Sequence, residues 1–259
     1  MRHRPSVVLV SRITNSELTN ISDWLVSNEL SLNVNKSNFL YFSPNKTEEP
    51  PSLKIQDTEI ECKEVVKYLG ILIDNKLNWS HQIKAVKTKI SRGIGAIRST
   101  KFLIPHSLLS NLYYSFVQSH LSYGVSTWGS PLTCMSDLIK LTDKAIKSVK
   151  DLTNVNYMHI DQLYQLDCCK LVFNEKHKLL PPNLSKIFDL ANQIHHHRTR
   201  QAALDGMHYH HINRFFPIKS FSSRFWNNLC LDFFDPNQSK LEFINNLKAK
   251  FLEPREGVE

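Results

Sequence analysis

Neither aspartate nor glutamate occurs between Asn75 and Ser136, although Lys76, Lys84, Lys87, Lys89, Arg92, Arg98 and Lys101 all fall there. At the mean acid content of the chain, 24 carboxylates in 259 residues, about six would be expected in a stretch of that length. The stretch keeps a regular apolar pattern, which excludes a disordered basic tail. A folded, acid-free basic surface is what a phosphate backbone binds, so nucleic acid is the first partner expected. The formal net charge of +8, before counting twelve histidines, agrees in sign. Other absences exclude other classes. The five cysteines form no CxxC, their number is odd, and Cys168 and Cys169 are adjacent, a poor geometry for a mutual bridge. That argues against a disulfide scaffold and for a reducing compartment, cytoplasmic or nuclear. No apolar run approaches the ~20 residues that span a bilayer, and the run in MRHRPSVVLV is too short for a signal peptide. No membrane partner is expected.

What is present falls into three zones. From Val7 to Asp74 the pattern is mixed. VVLV reads as a short buried strand, and NSELTNISDWLVSNEL as an amphipathic helix with Leu18, Ile21, Trp24 and Leu25 on one face. SLNVNKSNFLYFS then takes strand periodicity, SLKIQDTEIE reads as a hairpin, and VVKYLGILID as an apolar strand interrupted by Gly70. From Asn75 to about Leu152 the chain is helical. Trp79, Ile83, Val86, Ile90, Ile94 and Ile97 recur at steps of four, three, four, four and three, one face of a helix that Pro105 ends. A second helix, SLLSNLYYSFVQSHL, carries Leu108, Leu112, Tyr113, Phe116 and Leu121 and stops at Gly124. A third opens on a Ser136 cap and is lined by Lys140, Lys144, Lys147 and Lys150. Beyond Thr153, HIDQLYQLDCCKLVFNEKHKLLP reads as helix and SKLEFINNLKAKFL as a closing helix. The stretch between them, from His195 to Leu229, has little periodicity.

The succession LSLNVNKSNFLYFS, KYLGILIDNKLNW, HQIKAVKTKISRGIGAIR, YYSFVQSHLSYGVSTWG, HRTRQ and FWNNL resembles the carboxy-terminal part of reverse transcriptases of non-LTR retrotransposons, jockey-like or LINE-like. Each element alone is weak; their order and spacing carry the likeness, from about Val7 to Leu229. It implies an α+β fold, with residues 1–75 the end of a polymerase palm built of a few antiparallel strands and one helix. Residues 76–152 would form a helical thumb, and residues 153–259 the mostly helical C-terminal region of such a protein. In this family an aromatic-Ala-Asp-Asp run holds the Mg2+ ions that stabilise the attacking and leaving oxygens of phosphoryl transfer. VVLV resembles the strand that follows that run, but Arg4, Pro5 and Ser6 precede it and no Asp-Asp pair occurs anywhere in the chain. The expectation is a remnant of an RNA-directed DNA polymerase, truncated after the catalytic motif, without Mg2+ ligands or polymerisation of its own.

The resemblance also implies roles for residues that are present. Asn33, Asn35 and Lys36 match a palm motif whose lysine protonates the pyrophosphate leaving group; the alternative is a solvated loop lysine. Tyr68, Leu69 and Gly70 match the primer-grip hairpin, where glycine lets backbone approach the primer end; the alternative is an ordinary core strand. Lys84, Lys87, Lys89, Arg92, Arg98 and Lys101 fall in the thumb, where they would contact the phosphates of an RNA–DNA or DNA duplex. His195, His196, His197, His208, His210 and His211 lack the spacing and cysteines of a zinc site, so no metal is expected. Phe225 and Trp226 suit base stacking or a core anchor, and the following Asn227, Asn228 and Leu229 favour the anchor. Two other readings stay open: a non-enzymatic basic module for an RNA or protein partner, and a product with no selected role.

Overall fold

The computed structural model describes residues 6–43, 48–130, 133, 135–153, 155–185, 188, 206–208, 217–231 and 233–252. They fall into two compact units, Met1–Gln82 and Ile83–Glu259. The class is mixed α+β, with small open sheets and several helices.

The N-terminal unit begins with α1 (Val7–Ser27). Ser6 caps it, its hydroxyl accepting from Leu9 N at 3.3 Å, and Val10 N bonds to Ser6 O at 3.0 Å. The strand expected at VVLV is therefore the first turn of this helix. Four apolar residues fit either state; a helix satisfies its own backbone, whereas a strand there would have no partner among the described residues. The inward face also differs from the expected one. Leu18 and Ser22 face inward, and Ile21 and Trp24 are exposed.

Next comes a single 3-10 turn, Val34–Lys36, where a strand was expected; the Asn33 side chain accepts from Lys36 N at 3.2 Å and closes it. Six short strands follow: β1 (Asn38–Phe39), β2 (Lys54–Ile55), β3 (Thr58–Glu59), β4 (Glu61–Cys62), β5 (Val65–Tyr68) and β6 (Ile71–Asp74). They pair as β1–β4, β2–β3 and β5–β6, and the first pair is parallel, against the antiparallel expectation. The hairpin read in SLKIQDTEIE is present, with Gln56 and Asp57 both at positive φ, the turn that matches strand twist. VVKYLGILID is a second hairpin rather than one strand. Leu69 (φ 45°) and Gly70 (φ 86°) form its two-residue turn, so Gly70 sits at a reversal and not at a bulge.

A small cluster of Leu53, Ile55 and Ile60, with Leu18, Val34 and Phe39 against it, forms the apolar centre of this unit. Polar groups complete it. Asn15 lies along β2 as a strand would, its Nδ2 donating to Ser52 O at 3.2 Å and its Oδ1 accepting from Lys54 N at 2.9 Å. The buried Asp74 carboxylate accepts from the backbone N–H groups of Lys76, Asn78 and Trp79 at 3.1, 3.1 and 2.8 Å. That organises the bend before α2 (Ser80–Thr100), whose first turn Gln82 ties to Leu72 N at 3.0 Å.

In the C-terminal unit, Ile83, Val86, Ile90, Ile94 and Ile97 of α2 are buried, as their spacing requires. After Pro105 come α3 (His106–Tyr113), a π turn (Tyr114–Gln118), α4 (Ser119–Ser122) and α5 (Val125–Trp128). The buried set here is Leu109, Tyr113, Val117, Leu121 and Val125; Leu108 and Phe116, expected inside, are exposed. Steps of four drift about 40° each in a regular helix, and the wider π turn takes up part of that drift. Gly124 stops the helix at φ 60°, as expected. Gly93 lets α2 meet the π turn, because a Cβ there would lie 2.7 Å from Phe116 O.

α6 (Ser136–Thr153) packs on α3, with Tyr157 OH within 3.0 Å of Ser110 Oγ and 2.9 Å of Thr153 Oγ1. Its first backbone bond runs from Ile139 N to Met135 O, so Ser136 is its first helical residue rather than its cap. α7 (Ile160–Lys176) is central, with Ile160, Leu163, Tyr164, Leu166, Cys168, Cys169, Val172 and Phe173 buried. The short α8 (Pro182–Ser185) follows. α9 (Pro217–Phe225) runs into a second π turn, Trp226–Cys230, in the stretch read as aperiodic, and α10 (Lys240–Leu252) is the expected closing helix. Phe173, Trp226, Phe234 and Phe243 stack or meet edge to face around α7, with centroids 4.7–6.4 Å apart. The four described cysteines, Cys62, Cys168, Cys169 and Cys230, are free.

Candidate nucleic-acid interface

Burying the isoleucine face of α2 turns the opposite face outward, which fixes where its cations go. Lys84, Lys89, Arg92 and Arg98 are exposed, interspersed with exposed Thr88, Ser91, Gly95 and Ser99. From Lys84 to Arg98 these cations extend about 21 Å along the helix axis at 1.5 Å per residue, the rise of about six steps of a nucleic-acid strand. Lys89 also lowers the pKa of His120 on α4, an effect secondary to burial of that imidazole.

Two of the six expected cations have partners inside the protein. Lys87 Nζ donates to Asp137 Oδ2 at 2.8 Å, which brings the first turn of α6 beside α2. The bond from Lys87 and then its charge hold the Asp137 carboxyl below its usual pKa, and Lys140 adds to this. Lys101 Nζ sits 4.7 Å over the ring of Phe102.

Lys140 therefore joins this surface, and it leads a row on α6, Lys140, Lys144 and Lys147, all exposed and spaced to share one face. That row was absent from the expected set of contacts. Its signal was present as lysines at steps of four and three, but the contact with α2 is made through Asp137, fifty residues from Lys87.

Lys36 and the Tyr68–Leu69–Gly70 turn lie in the N-terminal unit. Lys36 is exposed at the end of the 3-10 turn, and Asn33 serves as the cap of that turn. Tyr68 and Leu69 are 62% and 73% exposed at the β5–β6 turn, which overturns the core-strand alternative for them. His195–His197, the HRTRQ segment, His210 and His211 lie outside the described residues. Trp226 is fully buried, the core anchor, and does not stack on bases. Asn227 beside it holds Met207 at both backbone groups, accepting from N at 2.9 Å and donating to O at 2.8 Å. Among the described residues no group of three or more His, Cys, Asp or Glu side chains could hold a metal ion. Nor is any helix among them long and apolar enough to cross a membrane.

No family profile and no solved structure matches the chain. Among curated proteins it is similar to a probable RNA-directed DNA polymerase from transposon X-element of Drosophila melanogaster, 24% identical over 123 residues. The matched part is 46% of this chain and 13% of that protein, so the likeness to a retrotransposon reverse transcriptase is distant and partial.

Proposed function

We propose that this chain binds nucleic-acid duplex through the outer face of α2 and the adjoining lysines of α6, as a relative of the reverse transcriptases of non-LTR retrotransposons. The observation that carries this reading is the acid-free segment, which folds into helices and presents Lys84, Lys89, Arg92 and Arg98 around the half of α2 that faces away from its buried isoleucines. Such contacts are made to phosphates, so binding is independent of sequence and falls steeply with salt. The similarity to a transposon polymerase supports the choice of partner. Lys36 and the Tyr68–Leu69–Gly70 turn are proposed counterparts of the palm motif and the primer grip.

The test is binding of the whole chain to an RNA–DNA primer–template across a salt series, beside the Lys84→Glu/Arg92→Glu/Arg98→Glu variant. Three lost phosphate contacts should flatten the log–log salt slope by about 2.7, at about 0.9 per contact. Equal slopes would mean that the α2 face is not the interface. A preference for the primer end over blunt duplex separates this reading from a general RNA- or protein-binding module.

A further inference from the structure

The turn joining α2 to α3, residues 101–105, carries the two most exposed large apolar side chains among the described residues, Phe102 at 81% and Leu103 at 80%. Single exposed apolar residues are ordinary on a protein surface. This pair differs in being adjacent, at the apex of a helix–helix turn. The backbone beneath them is fixed, with Lys101 N bonded to Ile97 O at 2.9 Å and Leu103 N to Thr100 O at 2.8 Å. Lys101 Nζ covers one face of the Phe102 ring, which leaves the other open. Near the pair in sequence are Arg98, Lys101 and His106, the first and last exposed, and no acid is nearer in sequence than Asp74 and Asp137.

We propose that Phe102 and Leu103 form a stacking platform for an unpaired nucleic-acid base, set at the end of the phosphate-binding row of α2. The inference rests on the duplex-binding reading above and adds a second ligand class, the single strand that continues from a duplex. Charge decides the occupant. A ring capped by an ammonium, in an acid-free segment, suits a π face attached to a phosphodiester. An anionic lipid surface shares the charge, but one Phe–Leu pair gives little insertion depth.

The test compares the whole chain with its Phe102→Ala/Leu103→Ala and Phe102→Trp variants on three probes: a blunt duplex, the same duplex with an unpaired tail carrying a fluorescent base analogue, and vesicles of anionic lipid. Both side chains are about four-fifths exposed, so the truncated variant keeps its fold. The wild type should bind the tailed duplex more tightly than the blunt one, with a change in analogue fluorescence. The alanine variant should lose about tenfold on the tailed probe, the scale of one stacked base, keep its blunt-duplex affinity, and lose the fluorescence change. The tryptophan variant should retain all three. Blunt-duplex binding with a steep salt slope but no effect of the alanine variant on the tailed probe overturns this inference and leaves the duplex reading standing. Absence of duplex binding in the wild type overturns both. Vesicle binding that is lost in the alanine variant, without any change on the tailed probe, would assign the pair to a membrane surface and overturn the inference.

Discussion

The two units are held by different means. In the N-terminal unit the buried apolar residues are few, and polar side chains set the backbone: Asn15 completes the edge of β2, Asn33 closes the 3-10 turn, and Asp74 gathers three N–H groups. Trp24 of α1 remains 59% exposed, with Ile13 and Ile21 exposed on the same helix. In the C-terminal unit an aromatic and aliphatic core surrounds α7, and Trp128, Trp226, Tyr113, Phe173 and Phe243 are fully buried. Short two-stranded ladders cannot enclose a core, so they depend on hydrogen bonds to unpaired edges, whereas packed helices satisfy their own backbones and compete through side-chain fit. The candidate interface belongs to the second kind of unit, where a rigid apolar seam decides which cations point outward.

Truncation should separate the two most strongly. Trp226→Ala removes a fully buried indole and is expected to destabilise the C-terminal unit by about 3–5 kcal/mol. Thermal unfolding followed by near-ultraviolet dichroism would show it; a loss below 1 kcal/mol would contradict the packed core. Asp74→Ala in the other unit strands three N–H donors, at a cost of about 1–3 kcal/mol. Hydrogen exchange should then rise first at Lys76, Asn78 and Trp79, and unchanged protection there would refute the role given to that carboxylate.

The two glycines of α2 sharpen the contrast within one helix. Gly93→Ala places a Cβ against Phe116 and should destabilise by about 1–3 kcal/mol. Gly95→Ala meets open space and should stabilise by about 0.5–1 kcal/mol. A denaturant midpoint that does not fall for Gly93→Ala would deny the close approach of α2 to the π turn.

The smallest effect is expected at Asp137. This carboxylate competes with phosphate for Lys87, so Asp137→Asn should tighten duplex binding by up to about fivefold, the upper range for an exposed ion pair. The Asp137 pKa is lowered in the folded state, so whatever the pair contributes to stability is present above the ordinary carboxylate range and disappears as pH falls through the lowered value. The Asn variant should lack that part of the acid response, which acid titrations of the two proteins would reveal.

Much of the helical part was legible because periodicity is a local property. The steps from Trp79 to Ile97 gave the buried face of α2 and thereby the outward placement of Lys84, Arg92 and Arg98. The Gln56–Asp57 reversal, α6, α7, α10 and the stop at Gly124 could likewise be read from neighbouring residues. Val7–Val10 could not, because four apolar residues carry no period of their own, and the Ser6 cap joined them to α1. Nor could the face of α3, where a π turn shifts the phase, or α9, whose buried residues include Ser220, Ser222 and Ser223, invisible to a hydrophobic pattern.

The sequence by itself therefore determined the acid-free basic segment, the helix faces within it and the expectation of a phosphate-bearing partner. All of these follow from residue type and spacing along one chain. Only the tertiary structure decided that Lys87 donates to Asp137, which brings the lysines of α6 beside α2, and that α2 meets the π turn where Gly93 faces Phe116. Those facts depend on which helices meet, and that is set by the fit of side chains distant in sequence.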